Sequence, residues 1–212
     1  MIVLVGFMGA GKTTVGHLLS ARLGVPFVDS DLVIEQRSGR PVRQIFAEDG
    51  EPAFRALEHE VIVGLLDGPD VVLAVGGGAA EHPGTRALLA RGDDPPRPPR
   101  EGIARGDDPA DLAAGGGGPR PPRTLATAQV VYLEVGYDQA MARVGGDPGR
   151  PLLARPDLAA TYQRRLPLYA GIATLTVATD GRRPETITAD ILARLATEPA
   201  ASGRAPYSRP RP

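Results

Sequence analysis

Three glycines and a lysine stand together near the start of the chain, in a spacing that can hold phosphate. Gly6-Phe7-Met8-Gly9-Ala10-Gly11-Lys12-Thr13 follows the apolar run Ile2 to Val5 and opens the helical pattern Thr14 to Leu23. Glycines let backbone N–H groups turn inward around phosphate oxygens, and the helix N-terminus adds partial positive charge behind them. In this phosphate-binding loop, or P-loop, Gly9, Ala10, Gly11, Lys12, Thr13 and Thr14 would surround a nucleoside triphosphate. Lys12 would reach the β- and γ-phosphates and Thr13 would ligate Mg²⁺. The composition supports that role: of 24 Lys and Arg residues, Lys12 is the only lysine. A compact ammonium and a planar arginine fork are not interchangeable where a point charge must fit among phosphates.

Three further groups of residues could complete such a site. Asp29-Ser30-Asp31 places two carboxylates two residues apart, which the strand period puts on one side of a strand end. Gly76-Gly77-Gly78 follows the apolar run Val71 to Val75 and brings backbone without side chains to a strand end. Arg55 lies in Gly50-Glu51-Pro52-Ala53-Phe54-Arg55, and Glu58 follows it by three residues. On a helix that spacing allows an ion pair, either orienting Arg55 or resting weakly on the surface.

The elements that must position these residues alternate. Ile2–Val5, Val25–Val28, Val71–Val75, Val130–Val135 and Thr174–Ala178 read as strands, short and apolar as buried parallel strands are. Helices are expected over Thr13–Leu23, Leu32–Ser38, Val42–Ala47, Pro52–Leu66, Pro83–Arg91, Tyr137–Val144, Asp157–Tyr169 and Pro184–Leu195. This alternation predicts an α/β fold, a five-stranded parallel sheet flanked by helices, with ligands at the C-terminal edge of the strands.

Composition excludes several functions. The absence of cysteine removes disulfides, thiolate metal sites and cysteine nucleophiles. His17, His59 and His82 have no metal-ligand spacing and are expected on helix surfaces. A formal net charge of -1 argues against a dedicated nucleic-acid binder, and no apolar run approaches a membrane span, so a cytoplasmic protein is the default.

The rhythm breaks over residues 92–124, which hold eight prolines and seven glycines. Arg-Gly-Asp-Asp-Pro occurs at 91–95 and 105–109, and Pro-Arg-Pro-Pro-Arg at 96–100 and 119–123. The composition reads as a disordered insert, with a proline-rich docking segment as the alternative. The loop Gly145 to Pro151 reads as mobile, and 199–212 as an unstructured tail.

Taken in order, GFMGAGKTT, DSD, GEPAFR, GGG, ARVGGDPGRPLLA and RRLPLY resemble the motifs of shikimate kinases. The resemblance covers about residues 1–91 and 130–196. It implies a P-loop fold of the nucleoside monophosphate kinase type, a single domain over 1–198 interrupted at 92–124, with a mobile lid. It also implies ATP-dependent, Mg²⁺-requiring phosphorylation of the 3-hydroxyl of shikimate, in aromatic amino-acid biosynthesis, by a monomer.

Roles carry over residue by residue. Asp31 matches the hydroxyl-binding aspartate, which either accepts the hydroxyl proton or only orients it. Arg55 and Arg165 match the arginines that bind the substrate carboxylate, and Gly77 and Gly78 those that let backbone approach the ring. Asp29 matches a residue holding Mg²⁺ with Thr13; a helix N-cap is its bland reading. Arg143 and Arg150 match nucleotide-facing positions, Arg150 in the lid with a catalytic part beside Lys12 and Asp31. Phe46, Phe54 and Pro151 would form an apolar wall, although core packing also explains the phenylalanines. Another small-acceptor kinase, acting on gluconate or a nucleoside monophosphate, and a catalytically weak nucleotide-binding module remain the alternatives.

Overall fold

The computed structural model of the chain describes residues 1–90, 128–145 and 157–197. The low-complexity stretch 92–124, the loop residues 146–151 with Arg150 and Pro151, and the tail 199–212 lie outside the described residues.

Five parallel strands form one sheet: β1 (Ile2–Val5), β2 (Phe27–Asp29), β3 (Val72–Ala74), β4 (Gln129–Glu134) and β5 (Leu175–Ala178), in the order 2-3-1-4-5. The central strand β1 is buried along its whole length, which is why Ile-Val-Leu-Val is apolar at every position rather than at alternate ones. Its residues pair with β3 on one side, Val3 opposite Leu73, and with β4 on the other, Val3 opposite Val130.

The helices are α1 (Lys12–Leu23), α2 (Ser30–Ser38), α3 (Val42–Glu48), α4 (Gly50–Leu66), α5 (Pro83–Ala90), α6 (Tyr137–Val144), α7 (Leu158–Ile172) and α8 (Pro184–Thr197). Among the described residues, none is long and apolar enough to cross a membrane. Glycines at 24 and 39 end α1 and α2 in the left-handed conformation, as helix-stop positions require.

Two apolar clusters hold the layers together. The larger one surrounds the sheet and includes Leu4, Phe7, Leu19, Leu73, Leu133, Tyr169 and Ile191. The smaller one joins α2, α3 and α4 through Val33, Ile34, Ile45, Phe54 and Val61. Full burial of such aliphatic side chains contributes about 1.5–3 kcal/mol each. The second cluster therefore anchors a helical lobe beside β2, and that lobe carries Arg55.

One expectation about this edge is corrected. Asp29 is the last residue of β2, but Asp31 already lies in the first turn of α2, so strand alternation does not relate the two. The reason is local: the Asp29 Oδ1 accepts the Asp31 N–H at 3.0 Å, which caps α2 at once and starts the helix at Ser30 rather than Leu32. A second difference follows the glycine run, where a 3₁₀ turn over Ala79–Glu81 precedes α5.

Candidate active site

Parallel strands deliver their following loops to one edge, and four of those loops build the site. The P-loop follows β1, Asp29-Ser30-Asp31 straddles the end of β2, the glycine run follows β3, and α6 follows β4 after two intervening residues.

The P-loop has the backbone its sequence demands. Gly9 and Gly11 have φ of 76° and 92°, a region that side chains rarely tolerate, and a Cβ on Gly9 would lie 2.7 Å from the Ala140 carbonyl oxygen. Lys12 Nζ donates to the carbonyls of Gly6 and Phe7 at 2.8 and 3.2 Å, so the ammonium folds back over the loop. Thr13 and Thr14 are exposed at the head of α1. Arg143 joins them from α6: its guanidinium donates to Gly9 O at 3.0 Å, and to the Thr179 hydroxyl and carbonyl at 3.2 and 2.7 Å. It thus ties the P-loop to the segment after β5 while its side chain stays exposed beside the loop.

Facing the loop is a group of carboxylates and arginines. Asp31 Oδ1 is buried without a hydrogen-bond partner among the described residues. Burial, followed by the charges of Glu58 and Asp29, pushes the Asp31 carboxyl up to about 7, against the opposing pull of Lys12 and Arg55. Burial also raises Asp29, opposed by the Asp31 N–H and by Lys12. Glu58 is wholly buried, and burial holds its carboxyl above the ordinary range even with Arg55 attached.

Arg55 is fixed from several directions. Its Nη1 meets Glu58 Oε2 at 2.6 Å and its Nη2 meets Glu51 at 3.2 Å. Its Cζ lies 5.6 Å and 5.2 Å from the ring centres of Phe46 and Phe54. The Arg55–Glu58 pair is therefore a buried positioning contact, not a weak surface one. Phe54 is a core residue and Phe46 packs on it, so the core reading of these rings holds while they also flank the Arg55 fork.

Arg165, from α7, completes the group. It is 1% exposed, and its Nη2 contacts Glu81 Oε2 at 2.6 Å. Its Nε and Nη1 have no partner among the described residues, so Glu81 satisfies only one of the buried guanidinium's nitrogens.

At two of the three positions in the run after β3, packing requires glycine. A Cβ on Gly78 would fall 1.9 Å from Arg55 Nη2, and one on Gly76 would fall 2.2 Å from Glu58 Oε1 and 2.9 Å from Asp31 Oδ1. At Gly77 the nearest protein atom would be 3.5 Å away, so the protein's own packing does not exclude a side chain there. Gly76→Ala is expected to destabilise the fold by about 1–3 kcal/mol, the range for overpacking a tight interior. A urea midpoint equal to that of the unsubstituted protein would refute this.

Several contributors were not singled out from the sequence. Ser30, fully buried, accepts the Gly76 N–H at 3.1 Å and ties the β2 edge to the glycine run. The Tyr169 hydroxyl donates to the Gly77 carbonyl. Thr179 receives Arg143, and Glu81 receives Arg165. Ser30 and Tyr169 sat inside recognised motifs, DSD and RRLPLY; Glu81 and Thr179 carried no local signal. The histidines also depart from expectation: His17 is exposed, but His59 and His82 are half-buried and stacked with ring centres 4.5 Å apart. Arg150 lies outside the described residues.

Among the described residues no three His, Cys, Asp or Glu side chains gather to hold a metal. The Asp29 carboxylate, which feels the Lys12 ammonium, and the Thr13 hydroxyl are of the hard-oxygen type that fits Mg²⁺, an ion commonly held by one or two protein oxygens together with substrate phosphates and water. Thr13 and Asp29 supply hard oxygen donors beside the P-loop.

Comparison with known proteins agrees with this geometry. A family model described as shikimate kinase matches residues 8–94 and 109–196, leaving 95–108 unmatched inside the low-complexity stretch. A shikimate kinase of Mycobacterium avium (strain 104) is 39% identical over 197 residues, covering 91% of this chain and 92% of that protein. One from Thermobifida fusca is 42% identical over 188 residues, covering 87% and 88%. Among solved structures, shikimate kinase from Acinetobacter baumannii in complex with shikimate aligns with a TM-score of 0.73 at 30% identity, covering 92% of each chain.

Proposed function

The chain belongs to the shikimate kinase family, an ATP-dependent kinase of shikimate, and we propose that the residues gathered at the C-terminal sheet edge carry that reaction. The observation that supports this reading best is electrostatic. The buried Asp31 carboxyl feels both the P-loop ammonium of Lys12 and the guanidinium of Arg55, so phosphate-binding and acid-binding charges converge on one acceptor.

In this reading Gly9, Ala10, Gly11, Lys12, Thr13 and Thr14 cradle the triphosphate, and Arg143 lies against the nucleotide. Arg55 and Arg165 take the shikimate carboxylate as a paired fork, and the backbone at Gly77 and Gly78 approaches the ring. Asp31 then faces the 3-hydroxyl and accepts its proton as the bond to phosphorus forms, giving shikimate 3-phosphate and ADP. Phosphoryl transfer requires alignment and charge neutralisation more than a protein nucleophile. Mg²⁺ would be held by Thr13 and by Asp29, whose Oδ1 also caps α2, and would neutralise charge on the phosphates. Arg150 would add charge at the transferring group. The same reading takes the enzyme to be a monomer in the cytoplasm, where ATP is at hand.

A coupled ADP-release assay with shikimate, gluconate and nucleoside monophosphates as acceptors tests the assignment. Turnover is expected with shikimate. Turnover confined to any other acceptor overturns it, and nucleotide binding without turnover would restore the reading as a catalytically weak module.

A further inference from the structure

Arg165 and Arg55 already hold an internal carboxylate. Glu81, at the end of the 3₁₀ turn that follows the glycine run, places Oε2 2.6 Å from Arg165 Nη2 and 4.0 Å from Arg55 Nη2. Its other oxygen lies 3.1 Å from Nη2 of Arg164, which is 54% exposed. Burial pushes this carboxyl up, but the hydrogen bond and charge of Arg165 outweigh it and hold Glu81 below the usual glutamate range.

The charges are balanced without a ligand. Arg55, Arg164 and Arg165 face Glu51, Glu58 and Glu81. A substrate carboxylate would add an uncompensated negative charge to a largely buried cluster, which is costly unless one acid leaves. Glu58 is wholly buried and bound to Arg55 from the same helix, so it is badly placed to go. Glu81 is partly exposed and comes from a different element. Its backbone is fixed, with N–H donating to Gly78 O at 2.8 Å and its carbonyl accepting from Arg86 at 2.8 Å. Displacement therefore needs only a side-chain rotation toward solvent, where Arg164 can keep one oxygen.

We infer that Glu81 is an intramolecular placeholder for the substrate carboxylate, holding Arg165 Nη2, the donor it shares with the Arg55 side of the pocket, in the empty enzyme and yielding that donor when shikimate binds. The inference rests on the proposed role of these two arginines. Glu81 keeps the buried arginine paired between turnovers and sets a threshold that a ligand's carboxylate must exceed. It is a specificity-determining residue rather than a catalytic one.

The test is calorimetric titration of the full chain with shikimate in the absence of nucleotide, comparing wild type with Glu81→Gln and Glu81→Ala. If Glu81 occupies the fork most of the time, its removal tightens Kd by about three- to tenfold, the occupancy penalty being lifted. KM for shikimate should fall in parallel. A shikimate analogue with hydroxymethyl in place of the carboxylate should bind all three proteins alike. Because an empty variant leaves Arg165 unpaired, its melting temperature should drop without ligand and rise further than that of wild type when shikimate is added, which keeps a destabilised variant informative. Equal or weaker shikimate binding by both variants overturns the placeholder and shows that Glu81 instead orients Arg165. Failure of wild type to phosphorylate shikimate would overturn the function itself, a separate readout.

Discussion

Alanine at Lys12 should lower kcat by about 10²- to 10³-fold, the loss expected when one preorganised charge on the transferring group is removed. The ammonium is held ready by the Gly6 and Phe7 carbonyls, and it is the only lysine in the chain. Arginine at this position should not rescue the rate. Its planar fork is too wide for a cradle shaped around a point charge, and it cannot make the same pair of contacts to the loop. The measurement is steady-state ADP release at saturating shikimate. Activity of Lys12→Ala within tenfold of wild type would remove this residue from the machinery.

Asp31→Asn carries the second large effect, with a signature in pH. Only the ionised carboxylate can accept the hydroxyl proton, and burial with neighbouring acids raises this carboxyl to about 7. The kcat/KM of wild type should therefore rise about tenfold per pH unit below that value and level off above it. The apparent midpoint belongs to Asp31 and Glu58 as a coupled set. In Asp31→Asn the plateau should lie about 10²-fold or more lower, the lower bound for general-base loss, and the limb should vanish. A wild-type profile flat down to pH 5 would mean that Asp31 orients the hydroxyl without taking its proton.

Stability should move in the opposite sense to activity. The Asp31 pKa rises from 3.8 to about 7 on folding, so the native state binds more protons than the unfolded chain between those values. Stability from this group is present below about pH 4 and lost as pH climbs through 7. The neutral asparagine avoids that loss. Asp31→Asn should melt higher than wild type at pH 8, with the gap closing toward pH 5.

How much of this was legible beforehand depended on range in sequence. The P-loop, the strands and the helices are encoded by neighbours: a glycine spacing, an apolar run, a helix stop. These were readable because each signal and its consequence lie within a turn or two of backbone. The family motifs extended the reading to Asp31, Arg55 and Arg165, since their combination is specific even where each is weak.

Boundaries at the site were less readable. Asp29 ended β2 and capped α2 together, which placed Asp31 on a helix rather than a strand, because the Asp29 side chain accepts the Asp31 N–H just past the apolar pattern of Val25 to Val28. The Arg55–Glu58 spacing showed that a pair was possible, but burial of the α2–α3–α4 cluster made it a positioning contact.

The chain's local order thus determined that a phosphate cradle would sit at the edge of a parallel sheet, and the motif set determined which acceptor it faces. Tertiary structure alone decided the electrostatics. Glu81 meets Arg165 across 84 positions of chain, and Arg143 meets Gly9 across 134. The raised carboxyl of Asp31 likewise depends on Glu58 and on shared burial. Charge–charge energies depend on distance and solvent exclusion, and neither exists until the glycine run, α4 and α7 have packed together.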